Sequence, residues 1–92
     1  MANKRVPKLI KFEVPITVGG KEIEEVTMRV PKGRDLTAVS GILDPIERDF
    51  TLVSNLCGLN ATVDEMNEFD AAEIVQLQGE LKGFLSSTQK TL

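Results

Sequence analysis

Leu56-Cys57-Gly58-Leu59, then Thr62-Val63-Asp64-Glu65-Met66, then Phe69-Asp70-Ala71-Ala72-Glu73-Ile74, running on through Leu77, Leu81 and Phe84, spell out a series of helix ends. Gly58 after an apolar run is a left-handed stop, because glycine accepts positive φ without a Cβ clash. Thr62 and Asp70 are each followed three residues later by a glutamate, the spacing of a capping box. One helix therefore ends at Cys57, a turn or so of helix opens at Thr62, and a last helix opens at Asp70 with Ile74, Leu77, Leu81 and Phe84-Leu85 on one stripe. Upstream, Asp44-Pro45-Ile46-Glu47 is a start signal: aspartate caps and proline fits the first helical position. The helix it opens carries Ile46, Phe50, Val53 and Leu56 or Cys57 inward at helical spacing. Arg34 to about Ile42 is a further candidate helix, with Leu36 and Val39 facing in and Gly41 loosening its end.

The chain ahead of these helices alternates. Ile10, Phe12, Val14, Ile16 and Val18 fall on one face of a strand, with Lys11, Glu13 and Thr17 on the other. Pro15 removes a ladder donor, which favours an edge or a bulge. Gly19-Gly20 supplies a tight turn, and Glu22 to Val30 forms the returning strand before Pro31 ends it. With Val18 opposite Lys21, Ile16 meets Ile23, but Val14 then meets Glu25. One extra residue at Glu24-Glu25 restores the apolar face, pairing Val14 with Val26, Phe12 with Met28 and Ile10 with Val30, so a β-bulge is expected there. The expected fold class is α+β, an N-terminal β-hairpin whose apolar face lies on a small bundle of three to four helices. Residues 1–9 read as a flexible arm, 10–86 as one domain (hairpin 10–31, helical part 33–86) and 87–92 as a flexible tail.

Ninety-two residues make a single small domain, 41% hydrophobic and 27% charged, in the ordinary range for a globular chain. Phe12, Phe50, Phe69 and Phe84 supply all the aromatic mass and are expected as core anchors. The net charge is −3, unevenly placed: Lys4, Arg5, Lys8 and Lys11 make the N-terminus basic, while Asp44 to Glu80 holds nine acids against Arg48, a local balance of −8. Most of these acids fall at helix starts and on solvated faces. Such a surface repels phosphate backbones and suits a basic protein partner.

Catalytic parts are missing. The chain has no histidine and one cysteine, Cys57, in an apolar helix end, so neither a His-based triad nor an internal disulfide can form. The paired carboxylates are accounted for by capping and the helix dipole. Asp64, Glu65, Glu68 and Asp70 lack the alternation and central glycine of a calcium loop, and no Lys-Ser/Thr follows Gly19-Gly20 as a phosphate loop requires. No enzyme activity, cofactor or metal is expected. No apolar run approaches the roughly 20 residues that span a bilayer, and no apolar stretch follows the N-terminal charges as a signal peptide requires, so a cytoplasmic setting without membrane contact is expected.

Binding remains. On the last helix Ala72, Val75, Gly79 and Gly83 fall opposite the apolar stripe. Two interior glycines each cost about 1 kcal/mol relative to alanine, and a groove for another helix's backbone is one reason to tolerate them. An exposed face without a role, or a second core contact, are the alternatives. Arg29, Lys32 and Arg34 gather at the hairpin's exit, which keeps a hairpin-plus-helix nucleic-acid-binding regulator as a rival. The acidic helical half and the lack of a basic recognition helix oppose that rival, and pairing with acids such as Asp35 is the other role for Arg29 and Arg34.

Pro15-Ile16-Thr17-Val18-Gly19-Gly20-Lys21-Glu22, then Met28-Arg29-Val30-Pro31 with Arg34-Asp35-Leu36, then Leu56-Cys57-Gly58-Leu59, then Phe69-Asp70-Ala71-Ala72-Glu73 leading into Gly83-Phe84-Leu85, resemble in order and spacing the phage tail assembly chaperones of the Mu-like and P2-like E group. The family often carries a second base where Val30 stands here. The resemblance implies a binder that coats the tape-measure protein and keeps it soluble in the host cytoplasm until tail tube subunits polymerise around it. It also implies absence from the mature virion and, through a programmed frameshift that would fall near Phe84 to Leu92, a longer form. The tail tube protein and a second copy of the chain are further partners to consider. Nucleic acid is not expected as a partner. A purely structural tail subunit is a third class, separable by its presence in finished virions.

Overall fold

The computed structural model describes residues 6–86. The chain runs β1 (Lys8–Val18), β2 (Lys21–Met28), α1 (Gly33–Val39), α2 (Pro45–Cys57), α3 (Val63–Met66) and α4 (Ala71–Ser86). The expected hairpin-plus-helices architecture is what forms, with β1 and β2 as a two-stranded antiparallel sheet. β1 starts at Lys8, two residues ahead of the expected Ile10. The expected tail at 87–92 lies outside the described residues, as do residues 1–5 of the expected arm.

The helix ends follow the side-chain chemistry. The Asp44 carboxylate accepts from the Ile46 and Glu47 backbone N–H groups at 2.8 and 3.2 Å, with Pro45 beginning α2. Gly58, at φ 64°, closes α2, and Leu59 N–H donates to the Ser54 carbonyl at 3.0 Å, the six-to-one bond of a glycine stop. Thr62 and Glu65 exchange both bonds of a capping box, each at 3.0 Å. Asp70 accepts from Ala72 N–H at 2.9 Å and starts α4.

The hairpin tip has the expected register, Val18 opposite Lys21 and Ile16 opposite Ile23. Gly19 and Gly20 sit at φ 59° and 82°, as a turn of this kind requires. The irregularity lies elsewhere than expected. Past Ile16 the next aligned pair is Lys11 with Glu25, so four residues of β1 stand against Glu24 alone and the surplus is on β1, not at Glu24-Glu25 of β2. Ile10 consequently meets Val26 and Lys8 meets Met28, in place of Val30 and Phe12 as partners. Val14, expected inward, is 49% exposed. The reason is local: Pro15 cannot donate to the ladder, and a chain looping outward there satisfies its donors off the sheet. The phase slip in β2 is nonetheless present, since Ile23 and then Val26 and Met28 face the core. β2 stops at Met28 and does not reach Val30, because Arg29 N–H turns away to the Leu56 carbonyl of α2 at 3.1 Å.

One core joins hairpin and helices: Ile10, Phe12, Ile16, Val26 and Met28 from the strands, Val39 from α1, Phe50, Leu52, Val53 and Leu56 from α2, and Leu77 and Leu81 from α4, with Leu59, Met66 and Phe69 filling the loops. Three of the four phenylalanines are buried and Phe84 is partly so. Besides Val14, two expected core residues, both on helices, are not in it. Leu36 on α1 is exposed, because the seven-residue helix turns Asp35 and Val39 inward. Ile46 is exposed, because α2's inward stripe begins before anything covers it.

Candidate functional site

The face opposite the core on α4 is open. Ala72, Val75, Gly79 and Gly83 are all exposed, Val75 to 66%, and a Cβ built at Gly79 or Gly83 would meet nothing within 4 Å. The four residues do not share one feature. Val75 and Gly79, with Gln78, Leu81, Lys82 and Asp49 of α2, line a recess of about 480 Å³ between α2 and α4. Gly83 borders a different recess of about 220 Å³, walled by Val6, Pro7, Lys8, Glu80 and Phe84. Ala72 lines neither. The helical wheel thus places the open line of small residues, and the neighbouring elements divide it.

Arg29 is committed within the chain. Its guanidinium donates to both oxygens of Asp35, at 2.7 and 2.8 Å, and Lys32 N–H donates to the same carboxylate at 2.8 Å. Asp35 is buried and held at a pKa of about 2, first by the Arg29 hydrogen bonds and then by the Lys32 amide. The fork geometry makes this a positional clamp that ties the exit of β2 to the first turn of α1. Arg34, one residue earlier, is exposed and forms no ion pair among the described residues. The basic cluster at the hairpin's exit is therefore split, and Arg29 is not free to meet a phosphate.

Two carboxylates that read as helix caps also grip the hairpin. Glu65 Oε2 accepts from Gly19 N–H at 2.8 Å while its Oε1 closes the Thr62 box, and those amide bonds hold its pKa below the ordinary carboxylate value. Glu73 is buried to 3% exposure in the first turn of α4, where its Oε2 accepts from Val14 N–H at 3.2 Å in the irregular stretch of β1. Gln76 Nε2, three residues on, donates to the Lys11 carbonyl at 3.3 Å. Glu73 and Gln76 together supply a donor and an acceptor where the ladder lapses. The sequence carried a cue: Glu73 lies four residues before Leu77, on the flank of the buried stripe, where a carboxylate needs a donor from another element.

Cys57 is free and partly buried, and desolvation raises its thiol pKa to about 11, which leaves it an inert packing residue at neutral pH. Among the described residues no group of three or more His, Cys, Asp or Glu side chains is disposed to hold a metal ion, and no helix is long and apolar enough to cross a membrane.

The comparison with family models matches residues 9–86 to the family described as phage tail assembly chaperone proteins, E, or 41 or 14. Neither the curated proteins nor the solved structures give a match. The matched span takes in both strands from Leu9 on and all four helices, including the capped ends and the open face of α4. The chain therefore belongs to the phage tail assembly chaperone family.

Proposed function

We infer that this protein is a phage tail assembly chaperone that binds the tape-measure protein and keeps it soluble in the host cytoplasm until the tail tube polymerises, leaving the finished virion without it. The observation that supports the reading is the family match over 9–86 taken with the open face of α4, where Val75 stands 66% exposed one turn before Gly79, whose Cβ position is clear. An exposed apolar side chain with bare backbone one turn on lets another helix approach closely, the geometry of helix-in-groove recognition. Binding of this kind is reversible and changes no covalent bond. Nucleic-acid binding loses support from the commitment of Arg29 to Asp35.

Co-expression with the tape-measure protein of the same phage tests this. The tape-measure protein should move into the soluble fraction and copurify with the chain. Equal precipitation with and without the chain would overturn the reading, and recovery of the chain from purified virions would reassign it to a structural tail role.

A further inference from the structure

Away from the open face of α4, a further recess lies where the irregular stretch of β1 meets the corner between α3 and α4. Val14 and Pro15 border it on one side and Glu68 and Asp70 on the other, while Ile16 and Phe69, both buried, lie at its floor. It measures about 270 Å³, under the roughly 300–1,000 Å³ of a small-molecule cleft, so it takes a long side chain and not a helix. Its apolar wall is fixed in place. The Val14 N–H donates to Glu73 at 3.2 Å, and three residues earlier the Lys11 carbonyl accepts from Gln76 at 3.3 Å. Both anchors are on α4. Between them the strand's detour turns outward, to 49% exposure, a valine that unbroken alternation would bury.

The charge here has one sign. Two carboxylates and no base line the recess. Glu68 is exposed and takes part in no side-chain hydrogen bond or ion pair among the described residues. Asp70 spends Oδ1 on the Ala72 amide and leaves Oδ2 open. No base follows in the helices to neutralise them: from Phe50 to Leu81 the chain has six acids and no lysine or arginine. On the hairpin side the flanking bases, Lys11 and Lys21, lie outside the lining. Among the described residues no third ligand joins the two carboxylates to hold a metal ion. A two-fold dimer through this face would set its acids against themselves. We propose that this recess seats an arginine from an extended segment of a partner protein, its guanidinium on Glu68 and Asp70 and its stem along Val14 and Pro15. Arginine suits both halves of the site, because an apolar stem carries a planar fork of donors that can meet two carboxylates at once. The chaperone reading supplies only the identity of the partner, and the chemistry of the seat stands without it.

The probe is a short synthetic peptide, capped at both ends, with one arginine beside a valine in a serine-glycine background, and a twin with glutamine in place of the arginine. Each is titrated into the full chain while backbone amide shifts are followed. The arginine peptide should perturb Val14, Thr17, Glu68 and Asp70 and bind about fivefold more tightly than its twin, the scale of an exposed ion pair. That advantage should fade as salt is added. Glu68→Gln combined with Asp70→Asn should erase it with the fold retained, because asparagine caps a helix about as well as aspartate. Val14→Ser should weaken both peptides alike, since it removes apolar wall and no charge. Equal affinity for the twins, shifts confined to other surfaces, or an arginine preference that survives the paired substitution would each overturn the proposal. So would concentration-dependent shifts at these residues without peptide, which would give the recess to a base of a second copy. Co-expressed with the tape-measure protein, the paired variant should copurify less of it than wild type does. If it copurifies as much, the recess fails and the chaperone reading stands. If the wild-type chain binds the arginine peptide yet leaves the tape-measure protein insoluble, the reverse holds.

Discussion

The helical half and the hairpin of this protein are secured in opposite ways. Every N-terminal cap on α2, α3 and α4 is a bond between residues two or three apart: Asp44 to Ile46 and Glu47, Thr62 to Glu65, Asp70 to Ala72. The hairpin is tied down by side chains 46, 59 and 65 residues away: Glu65 on Gly19, Glu73 on Val14 and Gln76 on Lys11. A two-stranded sheet is marginal alone in water. Here it leans on α3 through the turn, on α4 through polar contacts beside the break in the ladder, and on the shared core elsewhere. Glu65 belongs to both systems, one oxygen closing its own cap and the other holding the turn. The lesson is that local bonds build the helices while distant carboxylates decide where the hairpin sits on them.

The largest effect should come from a distant tie. Glu73→Ala removes a buried charged acceptor from the Val14 amide and should lower stability by about 2 kcal/mol, the usual range for a hydrogen bond to a charged group. Chemical denaturation reads the loss, and faster amide exchange around Val14 with α4 still protected would place it in the hairpin. If Glu73→Ala matches wild type, the long-range tie is ornamental and the comparison fails. A local bond should cost less. Thr62→Ala deletes one N-cap and should destabilise by about 1 kcal/mol. Exchange at the tip amide of Gly19 should rise modestly as well, because the first turn that carries Glu65 loses its cap bond, although the Glu65 carboxylate keeps the Thr62 backbone N–H. An unchanged Gly19 would show that the two uses of Glu65 are independent.

The smallest effect is a pH dependence at the strand exit. Asp35 has a folded pKa of about 2 against an ordinary 3.8. The unfolded chain therefore binds its proton first as acid is added. The clamp's contribution is complete above the ordinary carboxylate pKa and is lost as pH falls through about 2. The Arg29 side chain is 45% exposed, so solvent screens much of this interaction. Asp35→Asn should flatten the acid limb of the stability profile over that window, and an unaltered limb would assign acid unfolding to other carboxylates.

What could be read from residue order follows the same division. Cap-and-stop signals depend on a few neighbours, so α2, α3 and α4 begin where Asp44, Thr62 and Asp70 place them and α2 ends at Gly58. The hairpin tip was legible for the same reason, since two glycines fix the turn. The irregularity was half legible. The phase change between Ile23 and Val26 is written in β2, but which strand carries the surplus depends on Pro15 and on an acceptor supplied by α4. Periodicity shows which side of a helix faces in, not how far its neighbour extends, and so Ile46 and Leu36 read as core yet stand in solvent. On α4 the spacing put Ala72, Val75, Gly79 and Gly83 opposite the apolar stripe, and all four stand exposed. The recess itself needed Asp49, from an element 26 residues upstream of Val75.

The surplus on β1 works like an expansion joint. The tip takes its alignment from the glycine turn and the base takes its own from Ile10 and Val26, so the segment between them carries no length requirement beyond parity. Cutting two residues from 13–15 would shrink the surplus from three to one and still leave Phe12 and Ile16 pointing inward, at the expense of the Glu73 tie. Cutting one would turn half the hairpin inside out. Tolerance to paired deletions, and not to single ones, is the mark that such a joint leaves on a gene.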